Sequence, residues 1–327
     1  RGPASRVLAR GSLFASASMF ISCLQSLTST CLSLFRRGLA WGREWADESP
    51  ARAAWIYPKH ELSPEARYRD FNNRYFARFH EQERMLADQP RMNFYHEAIR
   101  RHIRPGARVI DLGTGTGILA AFASHAGAAK VYAIDHSKIL RHAEALAKDN
   151  GLTNVEFVAK HSKEFSLSEK VDVIVHEQMG DCLFDESMVA NVSDLRDRLL
   201  KPGGMIVPSR FEFFCEPVKV RDERLVPFIW ELNVKGYDYR CLERERPQEP
   251  EYYRLCSTDL GVIDHFLGTP EPVLTLDLHT VSETDLPKEL RFTRTVVKAG
   301  RLDGYVVYFR ALVDDDLCLS SAPLDPG

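Results

Sequence analysis

A glycine-rich turn that directly follows a hydrophobic run is the feature that most constrains this chain. The segment VIDLGTGTG, residues 109–117, passes from β-branched residues to a turn with three glycines, and small residues at helical spacing follow. Further runs of strand type, KVYAIDHS, NVEFVAK and VDVIVHE, alternate with helix-like segments. Because parallel strands need crossover connections, this alternation predicts a doubly wound α/β sheet.

The pattern changes after Pro208, where short strands are separated by turn residues. Such a pattern is typical of an antiparallel β-barrel or sandwich. We therefore predict a leader over residues 1–45 and an α/β domain with N-terminal helices over residues 62–207. An antiparallel β domain follows over residues 208–327, with a protruding arm around residues 243–268.

The leader is rich in arginine and free of acids, since residues 1–43 contain six arginines and no Asp or Glu. Ser12–Phe35 carries no charge. This composition fits a transit peptide or unstructured leader, a membrane anchor or signal, or an amphipathic packing helix, and the sequence leaves these alternatives open.

The overall charge and the reactive residue types exclude several classes of function. The net charge is −3, and it is −9 once residues 1–43 are set aside, so we expect no direct nucleic-acid binding and a mild preference for basic substrates. The seven cysteines form no C-x-x-C pair, which indicates reduced thiols. The histidines form no coherent ligand set with nearby acids, so no metal is expected.

The glycine turn and the strand after it have the features of a nucleoside-binding site. Gly113 and Gly115 let the backbone approach a ligand, but their spacing departs from the dinucleotide pattern G-x-G-x-x-G. Asp111 suits a ligand with a positive amino or sulfonium group. Asp135 ends the second strand and can accept hydrogen bonds from ribose hydroxyls. These features resemble class I S-adenosylmethionine (SAM) methyltransferases, which implies a Rossmann-like fold and SAM as cofactor.

An acidic loop follows the fourth strand, HEQMGDCLFDES at residues 176–187. Two carboxylates can hold a guanidinium by charge-assisted hydrogen bonds and draw its positive charge towards two nitrogens. The third nitrogen then becomes more nucleophilic. The segment EQMGDCLFDESM, residues 177–188, resembles the double-glutamate loop of protein arginine methyltransferases, roughly E-W-M-G-x-x-L-x-x-E-x-M. The resemblance implies methyl transfer from SAM to arginine nitrogens of proteins, with Glu177 and Glu186 as the catalytic residues.

The resemblance covers about residues 70–327 and implies further site residues. MLADQPR, residues 85–91, matches a family helix of the form M-L-x-D-x-x-R, and the turn HSKEF matches the family's adenine contact. The implied set is Arg91 for the SAM carboxylate, Lys163 and Glu164 beside the adenine, and Met85 and Met188 in the substrate pocket, the two methionines being typical of members that form asymmetric dimethylarginine.

Several positions depart from the family pattern and keep two alternatives open. Gln178 replaces a tryptophan and Asp181 replaces a tyrosine. The family's histidine partner for Asp88 belongs to a T-H-W loop that would follow Gly327. The first alternative is a catalytically impaired SAM-binding scaffold. The second is a methyltransferase for another cationic or small-molecule substrate.

The resemblance also implies partners and a location. The expected substrates are arginine-containing proteins, above all Arg/Gly-rich basic proteins such as histones or RNA-binding proteins. A helical arm in the β domain implies a homodimer. The family implies a cytoplasmic or nuclear location, while residues 1–43 leave organelle targeting and membrane anchoring open.

Overall fold

The computed structural model describes residues 33–35, 74–180, 183–184, 186–248, 250–255 and 260–324. Most of the predicted leader lies outside these residues. Ser33–Phe35 forms a short strand, β1. Within the described part of the chain, no helix is long and apolar enough to cross a membrane.

In the described residues, two helices longer than one turn precede the first parallel strand, and the break between them falls at Asp88, two residues before Pro90. Helix α1 spans Phe79–Ala87 and helix α2 spans Gln89–His102. Proline is tolerated in the first turn of α2 because the first helical N–H groups have no intrahelical partner. Asp88 caps α2, since its Oδ1 accepts a hydrogen bond from the backbone N–H of Arg91 at 3.1 Å. The cap fixes where Arg91 begins its first turn.

The parallel sheet has the predicted doubly wound architecture. Its five strands are ordered β4-β3-β2-β5-β6, and every neighbouring pair is parallel. The buried faces of β2, β3 and β5 are almost continuously apolar, as expected for a sheet covered on both sides. The strands are β2 Arg108–Leu112, β3 Lys130–Ile134, β4 Val155–Val158, β5 Val171–His176 and β6 Leu200–Val207, and the connecting helices are α3 Ile118–His125, α4 Leu140–Asp149 and α5 Met188–Leu199.

One predicted boundary in this domain is wrong. The segment SDLRDRLLKPGG, residues 193–204, has the sequence pattern of a helix that stops at Gly203 and Gly204. In the structure α5 already ends at Leu199, and both glycines lie within β6. Leu200 is extended, with φ −83° and ψ 137°. Pro202 disfavours helical geometry in the residue before it, so the chain leaves the helix earlier than the glycines indicate.

The second domain is a curled antiparallel sheet built around one long strand. Strand β7 pairs with β11, β12 and β13, while β13 also pairs with β1 and β14. A separate small hairpin is formed by β8 and β9. The strands are β7 Arg210–Val220, β8 Asn233–Val234, β9 Tyr237–Asp238, β10 Arg254–Leu255, β11 Ile263–Phe266, β12 Leu274–Asp277, β13 Gly304–Leu312 and β14 Cys318–Ser320.

A buried ion pair stabilises the interior of this sheet. Glu216 on β7 is fully buried and Arg294 is 7% exposed. Arg294 donates two hydrogen bonds to the carboxylate, Nε to Oε2 at 2.7 Å and Nη2 to Oε1 at 2.8 Å. The Glu271 N–H also donates to Glu216 at 3.1 Å. The pair therefore joins β7 to two segments that are distant in sequence.

The predicted arm is described only in part. Short 3₁₀ helices span Arg240–Glu245 and Pro250–Tyr253. Next to them Phe228 and Trp230 stack with ring centroids 4.7 Å apart, and the Arg246 guanidinium lies 5.1 Å from the centroid of the Trp230 ring. Residues 249 and 256–259 of the predicted arm lie outside the described residues.

Candidate functional site

The carboxyl ends of three parallel strands meet around a cavity of about 640 Å³. The glycine turn follows β2, Asp135 follows β3 and Glu177 follows β5. Strand order reverses at β2, because the chain runs from β2 outward to β3 and β4 and then returns to β5. Ligands of doubly wound proteins bind in the crevice at such a reversal. The strand order therefore brings together groups that are up to 64 residues apart in sequence, from Gly113 to Glu177.

The glycine turn has a backbone that few other residues could adopt. Gly113 and Gly115 have φ values of 73° and 56°, in the left-handed region that favours glycine. A Cβ atom at Gly115 would lie 3.0 Å from Gln82 Oε1 on α1. The sequence thus uses glycine both for the backbone conformation and for the close approach of α1.

Asp135 holds the glycine turn and the start of the next segment. Its Oδ2 accepts a hydrogen bond from the Gly115 N–H at 3.0 Å, and its Oδ1 accepts one from the Ser137 N–H at 2.7 Å. A carboxylate oxygen has two acceptor positions, so each oxygen can still accept a bond from a ligand hydroxyl. The prediction that Asp135 faces a ribose-binding position is compatible with this geometry.

Asp111 lies beneath the turn and not on the cavity wall. Its side chain is fully buried, and Thr114 Oγ1 donates a hydrogen bond to Oδ2 at 2.6 Å. Burial raises the pKa of Asp111 to about 7, although the Thr114 hydrogen bond opposes the shift. Thr114 itself lines the cavity, so Asp111 acts on the site through this hydroxyl.

Arg91 on α2 lines the cavity and contacts two carboxylates. Arg91 Nη1 lies 3.6 Å from Glu177 Oε1, and Arg91 Nε lies 3.2 Å from Asp88 Oδ2. Burial lowers the pKa of Arg91, but the charges of Glu177 and Asp88 more than offset this and raise it above its ordinary value. The guanidinium therefore stays charged and can bind an anion.

The structure brings together nine of the eleven residues predicted for the site. Asp111 is one exception. Met188 is the other, because it is 1% exposed within the hydrophobic core and does not line the cavity. Ser187 and Asn191 line the cavity at the start of α5, whereas the Met188 side chain packs into the hydrophobic core. The lining residues are Met85, Arg91, Gly113, Gly115, Asp135, Lys163, Glu164, Glu177 and Glu186.

Other residues that line the cavity were not predicted as site residues. Gln82 and Tyr95 lie three residues before Met85 and four after Arg91, so helical spacing could have indicated both. Glu283 comes from the second domain, where a 3₁₀ helix, Glu283–Asp285, packs against α5. No local pattern indicates Glu283, because its position depends on the packing of two domains.

Comparison with known proteins identifies the family. The profile of a methyltransferase domain family matches residues 103–240. Protein arginine N-methyltransferase PRMT10 of Arabidopsis thaliana is 34% identical over 273 residues, which cover 77% of this chain and 71% of the relative. The chain belongs to the protein arginine N-methyltransferase family. The predicted family is thereby confirmed, together with the predicted reaction, methyl transfer from SAM to protein arginine, and SAM as cofactor.

Solved structures of protein arginine methyltransferases have the same architecture. The crystal structure of Arabidopsis thaliana protein arginine methyltransferase 10 has a TM-score of 0.63 and 31% identity, and the match covers 77% of this chain and 80% of that chain. A Trypanosoma brucei PRMT1 enzyme-prozyme heterotetrameric complex with AdoHcy has a TM-score of 0.60 and 27% identity, and the match covers 77% of this chain and 80% of that chain. The predicted fold class, a Rossmann-like domain followed by an antiparallel β domain, is confirmed.

The arginine methyltransferase cavity has suitable partners for the ribose and the carboxylate of SAM. The glycine turn leaves room for close backbone contact, and Asp135 offers acceptors for a diol. The charged Arg91 offers donors for a carboxylate. A cavity of about 640 Å³ is of the usual size for a ligand of this class. The described residues therefore fit the cofactor that the family uses.

Proposed function

We propose that Glu177 and Glu186 bind and polarise the guanidinium of a substrate arginine. The observation that supports this proposal is that both glutamates line the same cavity as the glycine turn. SAM, when bound, supplies an electrophilic methyl group on a sulfonium. A guanidinium held between the two carboxylates would present its remaining nitrogen towards that methyl group.

The two glutamates contribute charge and orientation. Each carboxylate can accept N–H bonds from the planar guanidinium, and such charge-assisted bonds have well-defined geometry. Drawing positive charge towards the bound nitrogens leaves more electron density on the third nitrogen. Holding the reacting groups in near-attack geometry can supply about 7–11 kcal/mol of the barrier.

The other residues that line the cavity provide the positions for the cofactor. We assign Asp135 to the ribose hydroxyls, Lys163 and Glu164 to the adenine, and Arg91 to the carboxylate. Arg91 already contacts Glu177, so the group that binds the cofactor is also next to a catalytic glutamate. This contact gives the cofactor and the substrate a common neighbour.

The substrate class, the assembly and the product are further proposals. The acidic body of the chain, with Glu177, Glu186 and Glu283 around the cavity, favours basic arginine-rich protein segments. A homodimer is proposed from the arm near residues 243–268. Asymmetric dimethylation is proposed from the family resemblance and from Met85, which lines the cavity, whereas Met188 lies in the core and does not line it.

The test is mass spectrometry of a Gly-Arg repeat peptide incubated with SAM and the purified chain. We expect methylated arginine with the native protein and none with Glu177→Gln or Glu186→Gln, while fragmentation identifies the dimethyl isomer. Glu169→Gln is the matched control, because the Glu169 side chain is 72% exposed and pairs with Arg108 away from the cavity. Retention of activity in both cavity variants would refute the assigned roles.

A further inference from the structure

His176, the residue directly before Glu177, is a buried histidine at the junction of the two domains. Its side chain is fully buried, and its Nε2 lies 2.9 Å from the Pro208 carbonyl oxygen. A carbonyl oxygen only accepts hydrogen bonds, so Nε2 carries the hydrogen. Burial lowers the pKa of His176 to about 4, although the bond to Pro208 opposes the shift, and the ring is neutral at physiological pH.

This hydrogen bond continues the sheet at the point where its backbone ladder ends. Strands β5 and β6 are paired as far as Val175 and Val207. Pro208 has no N–H and the chain there turns towards β7. The imidazole of His176 therefore connects the end of β5 to the first residue after β6. Phe211 of β7 packs nearby, with its ring centroid 6.2 Å from that of His176.

The backbone of His176 is fixed from the opposite side. The hydroxyl of Tyr95 on α2 donates a hydrogen bond to the His176 carbonyl oxygen at 2.8 Å, and Tyr95 is also fully buried. Arg91, four residues earlier on the same helix, contacts Glu177. Helix α2 and the beginning of the second domain thus both act on the peptide unit that leads into Glu177.

The choice of a histidine at this position costs stability. His176 Nδ1 is buried and finds no protein hydrogen-bond partner among the described residues. A buried polar atom without a partner is unfavourable, and an apolar side chain would avoid it. The bond to Pro208 is the interaction that an apolar side chain could not make.

We infer that His176 is a positioning residue for the methyl transfer: its bond to Pro208 orients Glu177 relative to the second domain. The inference rests on the proposed role of Glu177. It implies that a change at His176 lowers kcat for the arginine peptide without a comparable loss of SAM affinity. The groups assigned to SAM lie on α2 and after β2, β3 and β4, and none of them contacts Pro208 among the hydrogen bonds described above.

Three variants separate a hydrogen-bonding role from simple packing. His176→Leu removes the donor. His176→Gln keeps an N–H donor at about the reach of Nε2, whereas His176→Asn places the donor one bond nearer the backbone, at the level of Nδ1. We expect kcat to fall about tenfold or more in the Leu and Asn variants, since small misplacements of reacting groups are costly. The Gln variant should keep a kcat within about threefold of the native value. The Kd for SAM, measured by calorimetry, should stay within about twofold of the native value in all three variants.

The outcomes decide between the two roles. Native kcat in the Leu and Asn variants would overturn the inference, and so would an equal loss in Leu, Asn and Gln or a parallel loss of SAM binding. If the Leu variant does not fold, the comparison of Gln with Asn still decides. Glu177→Gln is measured beside them: if it remains active, the proposed role of Glu177 has failed, whereas an inactive Glu177→Gln with active His176 variants refutes only the inference.

Discussion

Replacing Asp111 by asparagine tests whether the acid beneath the glycine turn lowers the stability of the fold at neutral pH. Asp111 is fully buried, and its one side-chain partner is the Thr114 hydroxyl among the hydrogen bonds described for it. Burial disfavours the ionised carboxylate. Asparagine has nearly the same shape and can still accept a hydrogen bond from Thr114, so the substitution removes the charge with little change in packing.

The magnitude follows from the pKa of Asp111, which burial raises from its ordinary value of 3.8 to about 7. This difference is roughly three pH units, and each unit corresponds to about 1.4 kcal/mol. The folded state binds the proton more tightly than the unfolded state, so the stabilising effect of protonation is present at low pH and lost as the pH rises through 7. The native chain should therefore lose about 4 kcal/mol between pH 4 and pH 7 relative to Asp111→Asn.

Urea unfolding at several pH values between 5.5 and 8 measures this difference. Subtracting the free energy of unfolding of the native chain from that of Asp111→Asn cancels the titration of the other groups. We expect the difference to grow by about 2 kcal/mol from pH 5.5 to pH 8, with most of the increase below pH 7 and a plateau above pH 8. Asp315→Asn is the control, because the Asp315 side chain is 96% exposed. A flat difference curve for Asp111→Asn, or the same slope in the control, would refute the reasoning.

Three further predictions concern the cofactor site and the second domain. Arg91→Lys should raise the Kd for SAM about tenfold in calorimetry, because lysine keeps the charge but loses the planar fork of donors; an unchanged Kd would contradict the assignment. Asp135→Asn should lower the free energy of unfolding by about 1–2 kcal/mol and weaken SAM binding, because the amide has one acceptor oxygen for two backbone N–H groups. Thermal unfolding with and without SAM measures the loss of stability and the loss of binding, and melting curves equal to those of the native chain would contradict the prediction. Arg294→Met should cost about 3–5 kcal/mol in urea unfolding because it leaves Glu216 buried without its partner, and adding Glu216→Gln should recover most of the loss; no recovery would argue that the pair does not account for the cost.

Arg91 also links the proposed position of the cofactor carboxylate to Glu177. It contacts both Asp88 and Glu177 in the described structure. An anionic group that binds Arg91 competes with Glu177 for the same donors. Binding of a carboxylate at Arg91 would then leave more of the Glu177 charge for a substrate guanidinium.

The sequence alone determined the order of strands and helices in the α/β domain and the site residues that directly follow its strands. Alternation of apolar strands with helices specifies a parallel sheet, because parallel strands require crossovers. In such a sheet all strands end at the same edge, so the glycine turn, Asp135 and Glu177 could be placed together from their positions directly after strands. Hydrophobic periodicity carries this information locally, and no knowledge of the packing is needed.

Only the tertiary structure determined the contacts that depend on how one helix or strand packs against another. The family resemblance implies that Met188 is a pocket residue, but its side chain packs in the hydrophobic core. Glu283 reaches the cavity because the second domain packs against α5, and the Pro208 carbonyl meets His176 because β5 and β6 end side by side. The same holds for Glu216 and Arg294, which are 78 residues apart. Such contacts join segments that share no local pattern, so their geometry is set by side-chain packing and becomes visible only in the folded chain.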